Sequence, residues 1–170
     1  VNLADVTVLA PVRPGKIVAL WNNYNTMREK MNGVRPEEPL WFIKTNNSVI
    51  GTGAAIERPA SYDGKVVYEG ELGIVIGRRA KNVSEADALG HIAGYAVLND
   101  VSERAFQLET TGQWVKGKSF DTFAPFGPWL VTPDEVPDPQ NLRIWCEVSG
   151  QMMQDGNTKT MVFNVFNLVS

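Results

Sequence analysis

Apolar residues along this chain fall in short runs bounded by Gly, Pro and Asn, which predicts strands rather than long helices. Residues 6–10, 16–21, 40–44, 95–100 and 142–148 read as strands, and 66–77 as the most continuous one. Helical signals are few. Asn25 is a candidate N-cap for a short helix over 26–31, closed by Gly33. Ser84 with Asp87 three residues on resembles a capping box and predicts a helix to about Ile92. Asp63-Gly64 predicts a hairpin turn into the strand at 66, and Ser149-Gly150 another after 148. The ending, 161–169, is apolar and of uncertain type, with a helix start as one reading. The pattern gives an α+β chain, predominantly β, in a single domain spanning 1–170.

Within the strand at 66–77, Glu69 and Glu71 stand two residues apart and so project to the same face. Like charges so placed are unfavourable unless neutralised, and a hard divalent cation neutralises carboxylates well. The alternative is a pair of solvated glutamates on a wet strand face. Asp100, at the end of the 95–100 strand, is either a third carboxylate for the same site or the N-cap of a helix over 102–107. The stretch 103–127 is dense in Arg104, Gln107, Gln113, Trp114, Lys116, Lys118 and Asp121. It suits either an anionic substrate or a solvated surface.

Composition narrows the classes. A length of 170 residues suffices for a proper core. A net charge of −3 with no basic tract argues against nucleic acid. No apolar run approaches the roughly 20 residues of a membrane span. One cysteine, Cys146, excludes an internal disulfide, and no signal-peptide pattern opens the sequence, so a cytoplasmic protein is expected. His91 reads as a helix C-terminal residue rather than a ligand. No G-x-S-x-G occurs, and Gly51-Thr52-Gly53 lacks the third glycine of a dinucleotide loop.

The motifs Tyr68-Glu69-Gly70-Glu71-Leu72, Asn99-Asp100-Val101-Ser102 and Gly117-Lys118-Ser119-Phe120-Asp121, with Gly127-Pro128-Trp129 after them, resemble the fumarylacetoacetate hydrolase family. The likeness lies nearest its 2-hydroxyhepta-2,4-diene-1,7-dioate isomerase/decarboxylase type. It implies a mixed β-sandwich roll, cut short at its C-terminal end, and a Mg²⁺ or Mn²⁺ enzyme, commonly a homodimer. The metal ligands it implies are Glu69, Glu71 and Asp100. Lys118 would sit beside metal and substrate, and Arg104 and Gln107 would face the substrate. The implied chemistry is decarboxylation, tautomerisation or C–C hydrolysis of a small 2-oxo or diketo acid. One departure matters. Many members carry a His and a Glu that activate water after an Asn-Tyr pair, and here Met27 and Lys30 follow Asn23-Tyr24. Methionine takes no proton, which leaves Glu29, one residue out of register, as the candidate catalytic base. The rival expectations are a non-catalytic relative that binds metal or a dicarboxylate, and the structural half of a two-domain enzyme.

Overall fold

Strands form most of the regular structure, and each is short because Pro, Gly or a change of partner stops it. The computed structural model describes residues 2–30, 33–60, 64–109 and 113–170, with backbone alone at 27 and 30. The strands are β1 (Ile17–Leu20), β2 (Trp41–Lys44), β3 (Val49–Ile50), β4 (Val66–Val67), β5 (Gly70–Ile76), β6 (Ile92–Asn99), β7 (Ser102–Glu103), β8 (Ala124–Pro125), β9 (Arg143–Val148) and β10 (Gln151–Asn157). The helices are α1 (Asn25–Lys30), α2 (Arg104–Leu108), α3 (Trp114–Lys118) and α4 (Val165–Val169). The α+β, predominantly β expectation therefore holds. No described helix is long and apolar enough to cross a membrane.

The chain divides into two compact units. The first comprises Val1–Ala19, Phe42–Gly73 and Ala96–Leu130. In it β3 runs parallel to β8, with Val49 opposite Ala124, and β4 runs antiparallel to β7, with Val66 opposite Glu103. The start of β5 lies beside the end of β6: a Cβ on Gly73 would stand 3.2 Å from the Ala96 carbonyl oxygen. Phe42, Val101, Phe123, Ala124 and Phe126 are buried here. The Phe120 ring packs on Phe106 at 5.8 Å and on Phe123 at 5.3 Å. Burying such a side chain contributes about 1.5–3 kcal/mol, so this aromatic cluster anchors the loops that carry the polar side chains described below.

The second unit comprises Leu20–Trp41, Ile74–Tyr95 and Val131–Ser170. Its main element is the β9–β10 hairpin, turned by Ser149 at φ 52° and Gly150 at φ 80°. Two successive positive φ values are what a two-residue hairpin turn needs. Asn23 clamps the far end of the unit, its Nδ2 donating to the Phe163 carbonyl and its Oδ1 accepting from Phe163 N, each at 2.9 Å. Asn164 caps α4 by accepting from Asn167 N.

Several expectations are corrected. The strand expected over 66–77 is two strands. β4 pairs with β7 and β5 with β6, so the chain changes partner at Tyr68-Glu69, and Glu69 lies between strands. Residues 6–10 form no strand: Val6 and Leu9 are exposed and Pro11 follows at once. The helix expected from Ser84 is only a turn and a 3-10 segment, Ala88–His91, although Ser84 Oγ does donate to Asp87 Oδ2 at 2.6 Å. Asp100 is not a helix cap; Glu103 caps α2. The Asp63-Gly64 turn, except for Gly64, and Met31 lie outside the described residues.

Gly117 is a tight point of the first unit. A Cβ there would stand 2.7 Å from the Glu103 carbonyl oxygen and 2.9 Å from Gln107 N, both backbone atoms. Helices α2 and α3 can meet only because this Cβ is missing. Gly117→Ala is expected to lower stability by about 1–3 kcal/mol. Urea unfolding checks it, and an unchanged midpoint would mean that α3 can shift freely.

Candidate active site

Asp100 lies directly after β6, and its backbone N–H donates to the Glu69 carbonyl at 2.8 Å. Asn99 completes the tie, its Oδ1 accepting from Glu69 N at 3.0 Å. The partner switch between β4 and β5 thus fixes Glu69 against the end of β6. Ser102 Oγ donates to Glu69 Oε1 at 2.7 Å, orienting the carboxylate.

Two lysines converge on Asp100, which is 2% exposed. Lys118, at the end of α3, places Nζ 2.7 Å from Asp100 Oδ2 and 2.9 Å from Glu69 Oε2. Lys44, the last residue of β2, places Nζ 2.7 Å from Asp100 Oδ1. It also donates to the carbonyls of Val101, at 3.1 Å, and of Lys118. An ammonium has three protons, and Lys44 thus has an acceptor for each. Lys44 is 0% exposed and Lys118 1%. The rim is more open. Arg104 Nη1 donates to Gln107 Oε1 at 2.7 Å, and its Nη2 stands 3.6 Å from Glu69 Oε1.

Helix α2 presents Arg104 and Gln107 because Glu103 starts it. The Glu103 carboxylate is fully buried and accepts from Ala105 N at 3.3 Å and Phe106 N at 2.8 Å. Losing a cap of this kind costs about 0.5–2 kcal/mol. Glu103→Ala should reach the upper end of that range and loosen the Arg104–Gln107 contact that α2 presents. Glu103→Gln keeps an acceptor and should retain most of both. Thermal melts separate the two variants, and equal losses would contradict the capping role.

Electrostatics mark the cluster as a site rather than a set of surface pairs. Burial raises the Glu71 carboxyl to about 8, with Asp100 and Glu69 adding to the rise and Lys118 and Lys44 opposing it. Burial also lowers the Lys44 ammonium below the usual lysine range, while Asp100 pulls it back. A carboxyl so poorly compensated beside two others is the donor chemistry of a hard cation. As the side chains stand, no three His, Cys, Asp or Glu among the described residues converge as a ligand set, and the ammonium of Lys118 takes an oxygen each from Glu69 and Asp100.

Of the residues singled out from the sequence, Glu69, Asp100, Lys118, Arg104 and Gln107 are linked by these contacts, and Glu71 joins them electrostatically. Glu29 belongs to α1 of the second unit. Lys44 belongs to none of the motifs in the sequence. Its only signal was a lysine ending the apolar run Leu40-Trp41-Phe42-Ile43, which reads equally well as a strand end reaching solvent.

Comparison with known proteins agrees with these motifs. The profile of the fumarylacetoacetate (FAA) hydrolase C-terminal family matches residues 16–170. A provisionally named hydrolase of Burkholderia ambifaria is 51% identical over 158 residues, 93% of this chain and 56% of that protein. The crystal structure of a 5-carboxymethyl-2-hydroxymuconate delta-isomerase from Mycobacterium smegmatis superposes with a TM-score of 0.86 at 44% identity, covering 98% of this chain and 64% of the other. The structure of a maleylpyruvate hydrolase from Sphingobium sp. SYK-6 gives 0.84 at 30% identity, covering 99% and 59%. The chain thus spans little more than half the length of the curated relatives it matches.

Proposed function

Because this chain belongs to the fumarylacetoacetate hydrolase family, we propose that it is a divalent-metal-dependent enzyme acting on a small 2-oxo acid, with the Asp100–Lys118–Glu69 cluster at its centre. The observation that carries this reading is the meeting of two buried lysines on a buried aspartate, beside two further carboxylates and an arginine. Proteins rarely bury so many charges for stability alone, since desolvation costs several kcal/mol per ion.

Glu69, Glu71 and Asp100 would hold Mg²⁺ or Mn²⁺, which when bound supplies a Lewis acid for a keto oxygen. The remaining roles fall to the chain's own residues. Arg104 offers a planar fork to a substrate carboxylate, and Gln107 holds that fork in place. Lys118 offers a point charge, and a proton to whichever oxygen or carbon of the substrate gains electron density. With Glu71 raised to about 8 and so mainly protonated at neutral pH, the site sets three cations against two ionised carboxylates. Adding a divalent cation leaves an excess of positive charge, which suits a substrate with two negative groups. Similarity to an isomerase and to a hydrolase supports tautomerisation and C–C cleavage as the reaction types, with decarboxylation as the third.

The test is turnover of a panel of small 2-oxo and diketo acids with Mg²⁺ or Mn²⁺. At least one should be consumed. Arg104→Ala should raise KM for it, by about tenfold or more, with little loss of thermal stability. Binding of these acids without turnover would identify a non-catalytic relative instead.

A further inference from the structure

Asp100 has one lysine on each carboxylate oxygen, and the two lysines are held differently. Lys44 sits on Oδ1 and Lys118 on Oδ2. Besides Asp100, Lys44 donates to two backbone carbonyls, those of Val101 and Lys118. It is wholly buried, and moving it would strand those carbonyls and its own charge. It also ties the end of β6 to the end of α3, so it fixes the Asp100 carboxylate and the Lys118 backbone together. Among the described residues, the Lys118 ammonium donates to two side chains, Asp100 Oδ2 and Glu69 Oε2, and to no backbone carbonyl. Glu69 is the more open partner, its side chain 26% exposed. The ring of Phe42 lies 5.2 Å from the same ammonium, an apolar face along which it can turn while staying favourably placed.

We propose that the two lysines divide the work: Lys44 is a permanent positioning residue for Asp100, and Lys118 is an exchangeable counter-ion that a divalent cation replaces on Glu69 and Asp100. The inference rests on the metal reading above. Its physical basis is that the oxygens Lys118 occupies belong to two of the three proposed ligands, so ammonium and cation compete for the same lone pairs. Once released, the ammonium still lies in the site near Arg104 and is free for the anionic substrate. Metal loading would thereby arm the substrate-binding group. Asp100 would keep its orientation throughout, because Lys44 never lets go of Oδ1.

The experiment is a calorimetric titration of Mn²⁺ into the native protein and four variants, with no substrate present. Lys118→Met removes the competitor and should bind Mn²⁺ about tenfold or more tightly than native protein. Lys118→Arg keeps the charge and offers a fork that suits two carboxylates, so it should bind more weakly than native. Arg104→Met removes an equal but more exposed charge, 3.6 Å from the other Glu69 oxygen and touching neither oxygen that Lys118 holds, and should tighten binding only about twofold. Lys44→Met should weaken binding about tenfold or more despite losing a positive charge, because Asp100 loses its orientation. If that variant does not fold, the Lys118 pair with the Arg104 control still decides the exchange. Weaker binding by Lys118→Met, or equal tightening by Arg104→Met and Lys118→Met, would overturn it. Tighter binding by a folded Lys44→Met would overturn the positioning role. Absence of Mn²⁺ binding in native protein and every variant would defeat the metal reading itself, and the proposal with it.

Discussion

Asp100→Ala is expected to be the most damaging single substitution in this chain. It removes a side chain that touches both lysine ammonium groups, and it leaves those two charges buried. Breaking a buried pair from one side costs about 3–5 kcal/mol, a large part of the 5–15 kcal/mol that holds a typical domain together. Activity should fall to background as well, since the same carboxylate is a proposed metal ligand. Asp100→Asn separates the two effects. It keeps the shape and an acceptor, so it should retain more stability than alanine while still losing turnover. Urea unfolding of both variants with activity assays checks this. An Asp100→Ala protein as stable as native would mean that the lysines find other partners and that the cluster is not a structural keystone.

The second large effect concerns the choice of reaction. Methionine stands at position 27, where the family resemblance implies the histidine of a water-activating pair, and it cannot accept a proton. Loss of a general base typically costs about 10²–10⁴-fold in rate. Hydrolytic C–C cleavage needs that base, whereas decarboxylation needs an electron sink and tautomerisation only a proton shuttle. Oxaloacetate decarboxylation should therefore exceed acylpyruvate hydrolysis on the same preparation. Rapid acylpyruvate hydrolysis by the native protein would give the water-activating role to another group, with Glu29 the first to replace by glutamine.

Much of this site could be read from the sequence because its parts sit in local patterns. Two glutamates around Gly70, an aspartate ending an apolar strand, and a Gly-Lys-Ser-Phe-Asp segment are each contiguous. What brings them together is not local. The reading of 66–77 as one strand failed because periodicity reports which residues are apolar, not which strand each half pairs with. The half that pairs with β7 and the half that pairs with β6 have the same apolar character. The helix expected after Ser84 failed for a related reason. Its capping contact forms, but Ile92 is drawn into β6 and only a short turn is left. Lys44 was invisible because its role depends on two carbonyls distant in sequence, Val101 and Lys118. Nothing near position 44 indicates that its ammonium will be buried rather than solvated.

If these carboxylates and lysines form a metal-dependent catalytic centre for 2-oxo acids, turnover must depend on both the cation and Asp100. The most direct test is oxaloacetate turnover by protein stripped with chelator and then titrated with Mg²⁺, run in parallel on native protein and Asp100→Asn. The stripped protein should show no turnover above the free-metal background, the native protein should recover saturably with Mg²⁺, and the variant should not recover. Undiminished turnover by stripped native protein, or full recovery by Asp100→Asn, would contradict it.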